Sequence, residues 1–298
     1  MQKSQPNACA AARHSLALAP GKKESSSMNQ PLVSVVVPAY NQAQYLRACL
    51  DSLWFQEYPD LELVVVNDGA TDHTPEVLEQ FQQDLDTLQT SFASCFNEAN
   101  NTIERTVHPV YPRQGRTLRI VTHERNRGLA AALNTGWQAA TGVYCTYVPC
   151  DDLAYPHMLA ELVQALEAGP AEFAYADMHI VDDAMHILRR FSLPAYSPQA
   201  CFGDWYLCGV CKLYRRSLHE RFGGYDEALL AHDHALFQRF ALGGAACVHV
   251  PKALMAVRDH PKSRQVDIHA PSNWNRLLEE SKCLVREARQ ALDASKGA

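Results

Sequence analysis

The stretch Leu61-Glu62-Leu63-Val64-Val65-Val66-Asn67-Asp68-Gly69 decides how the chain folds. A near-continuous aliphatic run closed by an Asn-Asp-Gly turn reads as a strand covered on both faces, the kind found in parallel sheets. Upstream, Leu32–Val37 is a second such run and ends at Pro38. Between them, Leu46, Leu50, Leu53 and Trp54 fall on one face of a helix spanning Tyr45 to Trp54. Downstream, Thr74-Pro75 opens another helix, with Thr74 as its cap and Pro75 in the first position. Strand, helix, strand, helix in this order predicts a Rossmann-like α/β fold, a mostly parallel sheet with right-handed crossovers. Ligands of such sheets bind beyond the carboxyl ends of the strands, here at Pro38–Asn41 and Asn67–Asp72.

The rhythm resumes with strands expected at Leu118–Thr122, Val143–Val148 and Phe173–Met178. Leu129, Leu133, Gly136, Trp137 and Ala140 mark one further helix, and Leu159, Leu162, Val163 and Leu166 another. Residues 82–116 break the pattern and read as an insertion with a short helix near Phe92–Asn100. It would shape a second-substrate site, form an oligomer contact, or be a solvated loop. Phe191 to Arg258 reads as mixed α/β, the second-substrate half. The terminal helix turns Leu277, Leu278, Leu284, Val285, Ala288 and Leu292 inward; packing is its default role, ahead of dimerisation or membrane-surface contact. The chain therefore divides into a flexible leader at 1–30, a main domain at 31–265 and a helical extension at 266–298.

Composition narrows the function. The 298 residues are 47% hydrophobic, enough for a sizeable core. A net charge of −6 argues against a nucleic-acid partner, which favours a basic surface. No apolar run approaches the ~20 residues that cross a bilayer. The ten cysteines are scattered rather than arranged as a disulfide framework, which points to a reducing, cytoplasmic setting, with peripheral membrane association left open. Cys208 and Cys211 form the one close pair and read as structural thiols.

Three acidic sites carry candidate chemistry. Asp68, at a strand end, would accept hydrogen bonds from a base or ribose, or serve as a turn residue. Asp151-Asp152, at the end of the fourth strand, are adjacent carboxylates that repel each other when buried. A hard divalent ion such as Mg²⁺ or Mn²⁺ shared with a substrate phosphate would relieve them; the bland alternative is a helix cap or solvated loop. Asp233, between His232 and His234, opens a helix and is either a dipole-stabilising acid or a general base.

In combination these segments resemble the inverting family 2 glycosyltransferases of the GT-A fold. The likeness runs from Pro31 to Ser263, interrupted by the insertion. It rests on Val35-Val36-Val37-Pro38-Ala39-Tyr40-Asn41, Val65-Val66-Asn67-Asp68-Gly69-Ala70-Thr71-Asp72 and Asn126-Arg127-Gly128-Leu129, then on the Asp151-Asp152 strand end. Gly223-Gly224-Tyr225-Asp226, His232-Asp233 and Arg258-Asp259-His260 complete it. The resemblance implies a nucleotide-sugar donor, usually a UDP-sugar, and a divalent cation. Pro38, Ala39, Tyr40, Asn41 and Asp68 would then line the nucleotide pocket, with Arg127 close by. Asp151 would hold the metal, Asp152 would sit by the donor sugar, and His260 would touch the diphosphate or metal. Asp233 would be the base. The chain departs from the family pattern at Asn67, Pro149 and His232, where acids are usual. The acceptor stays open among carbohydrate, lipid-linked sugar and protein, as does homo-oligomerisation. A glycosidase, which also needs two carboxylates, and a non-catalytic nucleotide-sugar sensor or scaffold are the rival readings. No Gly-x-Gly-x-x-Gly turn follows the first strand, which argues against a dinucleotide oxidoreductase.

Overall fold

A computed structural model describes residues 30–87, 91–97, 101–108, 111–204, 208–259 and 271–296, so His260 and all but the last residue of the leader expected at 1–30 lie outside the described residues. From Pro31 onward the chain forms one compact unit. Strands β1 (Val33–Ala39) and β2 (Leu61–Asn67) are buried at every position. They pair in parallel, with Val33 opposite Leu61 and Ala39 opposite Asn67. Helix α1 (Ala43–Trp54) connects them and buries Leu46, Leu50, Leu53 and Trp54 as its spacing requires. Removing each such side chain from water contributes roughly 1.5–3 kcal/mol.

Helix α2 (Thr74–Thr87) follows, and an Arg47–Asp84 ion pair at 2.6 Å ties it to α1. Its capping acceptor is not Thr74, as the sequence suggested, but Asp72, whose Oδ1 accepts the Thr74 amide at 3.0 Å. The same carboxylate accepts the Ala43 amide at 3.0 Å, so one side chain caps α2 and the first turn of α1. In the 82–116 segment, strands β3 (Ser91–Asn97) and β4 (Thr102–His108) form a two-stranded antiparallel sheet where a short helix was expected.

The main sheet continues with β5 (Arg116–Thr122), helix α3 (Leu129–Ala139) and β6 (Tyr144–Tyr147). Strand β7 (Leu153–Ala154), α4 (Met158–Glu167), β8 (Phe173–Val181) and β9 (Ile187–Phe191) come next. After a π-helical turn at Gln199–Gly203 come β10 (Lys212–Arg215), α5 (Ser217–Phe222) and α6 (His232–Leu242). Strand β11 (Cys247–Arg258) and α7 (Pro271–Lys296) finish the unit. The order across the sheet is β5-β2-β1-β6-β10-β8-β11-β7, with β9 on β8.

β5, β2, β1 and β6 run parallel; β10 is antiparallel to both its neighbours. The chain thus builds outward from β1 through β2 to β5, then returns through α3 to place β6 on the other side of β1. The order reverses between β1 and β6, the position at which open α/β sheets bind ligands. α3 packs close enough for this return because Gly136 lies against Val36; a Cβ there would stand 2.3 Å from Val36 Cγ1. The inward face expected of α7 is buried or half-buried throughout. Among the described residues no helix is long and apolar enough to cross a membrane.

Candidate active site

The carboxyl ends of β1 and β2 are stitched together by backbone and side chain. The Asp68 amide donates to Ala39 O at 2.9 Å. Asn41 takes a left-handed conformation (φ 52°), which Asn tolerates, and its Oδ1 accepts the Thr71 amide at 2.8 Å. Asp68 is buried and heavily used. Its Oδ1 accepts His123 Nδ1 at 2.6 Å and the Arg127 amide at 2.9 Å, and its Oδ2 accepts the Gly128 amide at 2.9 Å. His123 continues to Thr135 Oγ1 at 2.9 Å. Three of the four carboxylate lone-pair positions therefore hold the Arg127-Gly128 loop and His123 in place, leaving one, on Oδ2, for anything else. Gly69 (φ +66°) lets this loop close, since a Cβ there would lie 2.3 Å from the Arg125 carbonyl carbon. The Arg127 guanidinium is half exposed and stands 3.8 Å from Glu227.

At the end of β6 both Asp151 and Asp152 are buried. Asp152 Oδ1 accepts the Arg258 amide at 2.9 Å, and Arg258 Nε donates to Asp151 O at 3.1 Å. Burial first, and the neighbouring Asp151 carboxylate second, push the Asp152 carboxyl well above the usual carboxylate range, against the Arg258 amide and guanidinium. The donor set fits a hard divalent cation, which would relieve this repulsion and which commonly uses one or two carboxylates with substrate phosphates completing its shell. Among the described residues no group of three or more His, Cys, Asp or Glu side chains converges on a metal position, and His260, the other expected metal contact, lies outside them.

Asp233 stands in the first turn of α6. The Tyr147 hydroxyl, from β6, donates to its Oδ2. Lys212 Nζ, from β10, lies 3.8 Å from the same oxygen and donates to Gly209 O at 2.9 Å. Lys212 is fully buried, its ammonium 4.4 Å from the centre of the Tyr147 ring and 4.6 Å from that of Phe237. Burial lowers its proton affinity and the Asp233 carboxylate raises it, the burial prevailing. Asp233 Oδ1 is screened from solvent and receives no hydrogen bond from any described residue, with His232 Nε2 at 4.0 Å. Reading the sequence had missed Lys212, Tyr147 and His123. The two-residue alternation of β10, which puts Lys212 on the face of buried Tyr214, was the signal for the first.

Beside Asp233 opens an apolar cavity of about 380 Å³, lined by Leu129, Leu230, Trp274, Leu277 and Leu278 among others. The Glu280 carboxylate on α7 holds its wall by accepting the Leu230 and Ala231 amides at 2.7 and 2.9 Å, just ahead of α6.

These contacts relate the three acidic sites. β2 and β6 flank β1, so the strands that lead to Asp68 and Asp151 are two strand spacings, roughly 10 Å, apart. Asp233 is bonded to Tyr147 at the end of β6, and the loop gripped by Asp68 leads into Leu129 on the rim of the Asp233 cavity.

Residues 34–223 match the family model described as glycosyl transferase family 2. Among curated proteins, the chain is similar to the glycosyltransferase GlyA of Streptococcus pneumoniae, 27% identical over 242 residues, which cover 76% of this chain and 30% of GlyA. It is also similar to the uncharacterized glycosyltransferase EpsJ of Bacillus subtilis, at 26% identity, covering 78% of this chain and 62% of EpsJ. The chain thus spans less than two thirds of either relative. Its fold matches residues 1–349 of S. aureus TarS in complex with UDP-GlcNAc, with a TM-score of 0.58 and 20% identity over 77% of this chain and 59% of that one. It also matches the Pyrobaculum calidifontis mannosyltransferase PcManGT in complex with GDP-Man and Mn2+, with a TM-score of 0.56 and 22% identity over 91% and 76% of the two chains. The Rossmann-like architecture expected from the strand pattern is therefore the GT-A fold.

Proposed function

Because the chain belongs to glycosyl transferase family 2, we propose that it moves a glycosyl group from a nucleotide-diphosphate sugar to an acceptor hydroxyl with inversion, assisted by a divalent cation. The observation that carries this reading is Asp233, a carboxylate on the wall of the apolar cavity and hydrogen-bonded to Tyr147, on the strand that leads to Asp151 and Asp152. The acceptor hydroxyl passes its proton to the Asp233 carboxylate as its oxygen bonds to the anomeric carbon. The bond from that carbon to the diphosphate breaks on the opposite side, and its electron pair leaves with the nucleotide. Pro38, Ala39, Tyr40, Asn41 and Asp68 border the nucleotide, with Arg127 beside it. In this arrangement Asp68 acts chiefly by fixing the Arg127-Gly128 loop, and its remaining lone pair is available to the base. Asp151 and Asp152 would hold the cation, which supplies positive charge to the departing diphosphate.

UDP is the favoured nucleotide, in keeping with the shared fold of TarS, whose structure carries UDP-GlcNAc; PcManGT carries GDP-Man. The apolar cavity beside Asp233 favours an acceptor with a nonpolar portion, such as a lipid-linked sugar, over a bare polysaccharide. The described cysteines are all free and mostly buried, in keeping with a reducing, cytoplasmic setting. Thermal shifts against a panel of UDP- and GDP-sugars with Mn²⁺ test the donor, because a ligand of the native state raises its melting temperature. Asp233→Asn should keep that shift and lose transfer. Full transfer in this variant would remove Asp233 from the mechanism.

A further inference from the structure

Lys212 carries no part of the chemistry above, yet it is among the most fully buried polar side chains described, with no exposed side-chain surface. An ammonium in a protein interior is costly, and replacing a buried ion pair by apolar groups is often neutral or stabilising. Its surroundings are chiefly aromatic: Tyr147 and Phe237 sandwich it, and Gly209 O takes one of its three N–H groups. The negative charge within reach is Asp233 Oδ2 at 3.8 Å. The groups facing Asp233 include the Tyr147 hydroxyl from β6, Lys212 from β10 and His232 from its own helix. The Tyr214 and Tyr225 phenols lie near enough to feel its charge. Of these, Lys212 alone is an aliphatic amine, the group able to set a full positive charge beside the carboxylate.

We propose that Lys212 is a positioning residue for the base: its ammonium, with the Tyr147 hydroxyl, anchors Asp233 Oδ2 and so holds the carboxylate in place for the acceptor. This rests on Asp233 being the general base. The Tyr147 hydrogen bond and the ammonium 3.8 Å away both act on Oδ2, and the rings exclude water that would otherwise solvate either charge. The lysine is then kept for catalysis at the expense of stability.

The test compares Lys212→Met, Asp233→Asn and the double variant with the intact protein. Urea unfolding is followed for all four, and nucleotide release from UDP-GlcNAc and from GDP-mannose is measured in parallel. Lys212→Met alone should lower the unfolding midpoint, because Asp233 loses its counter-ion. The double variant should recover to the wild-type midpoint or exceed it. Lys212→Met should also lower kcat by about tenfold or more while leaving the donor KM within about twofold, since the donor does not touch the lysine. Additive effects on the midpoint would show that Lys212 serves only its own packing and would overturn the proposal. So would an unchanged kcat in Lys212→Met when Asp233→Asn is inactive. If Asp233→Asn is fully active, the general-base reading is what fails, and the unfolding data still report whether the pair is coupled.

Discussion

Replacing Asp68 by alanine should loosen the Arg127-Gly128 loop before it affects any chemistry. The carboxylate is 3% exposed and accepts three hydrogen bonds, at 2.6 Å from His123 and 2.9 Å each from the Arg127 and Gly128 amides. Hydrogen bonds to a charged group contribute about 1.5–3 kcal/mol each, and donors left unsatisfied in a buried site cost a similar amount. The two amides belong to one loop and would partly regain water together, so the three do not add in full. The expected loss is about 3–5 kcal/mol. With a urea m-value of roughly 3 kcal/mol/M for a domain of this size, the midpoint should fall by roughly 1–1.7 M. Asp68→Asn should fall between alanine and wild type, because its amide nitrogen must face at least one of the three donors whichever way it is turned. Equilibrium urea denaturation followed by circular dichroism reads both variants. An alanine variant within about 1 kcal/mol of wild type would refute the claim that this carboxylate braces the loop, and would leave ligand contact as its whole role.

Gly69→Ala should weaken nucleotide-sugar affinity and lower the melting temperature, since the new methyl group meets the Arg125 backbone at 2.3 Å in a left-handed conformation. Calorimetry and thermal scans measure the two effects. Asp151→Ala should weaken donor binding in Mn²⁺ far more than in EDTA, which titration calorimetry under both conditions reads. Acid should destabilise the protein through His219. Burial pushes its imidazole down to about 4; its Nδ1 donates to Gly223 O and its Nε2 accepts from Tyr214. The unfolded chain takes up a proton near pH 6.5 and the folded one does not, so this stability is full above that pH and lost as pH falls towards 4. The loss should reach roughly 2 kcal/mol between pH 7 and 5, and His219→Gln should flatten the slope in that window.

The parallel half of the sheet was legible chiefly because β1 and β2 are covered on both faces and so read as aliphatic runs. The hairpin of β3 and β4 was not, since Phe92 and Phe96 stand four apart and suit a helix as well as a strand. What decides the matter is pairing with β4, a long-range contact that no local window contains. The same limit applies to the site. Asp68, Asp151 and Asp233 announce themselves by following strands or opening a helix. Lys212 sits in Lys-Leu-Tyr-Arg, which looks like an ordinary charged strand, and the partner that explains it lies far along the chain at Asp233. Thr74 was mistaken for a cap because the true acceptor, Asp72, lies two residues earlier and serves two helices.

The grip of Glu280 on the Leu230 and Ala231 amides has a temporal consequence during synthesis. A nascent chain that has emerged only through β11 would already possess every strand of the sheet and both acidic strand ends. The run into α6, from which Asp233 projects, would still lack its anchor, because the acid that secures it emerges about fifty residues later.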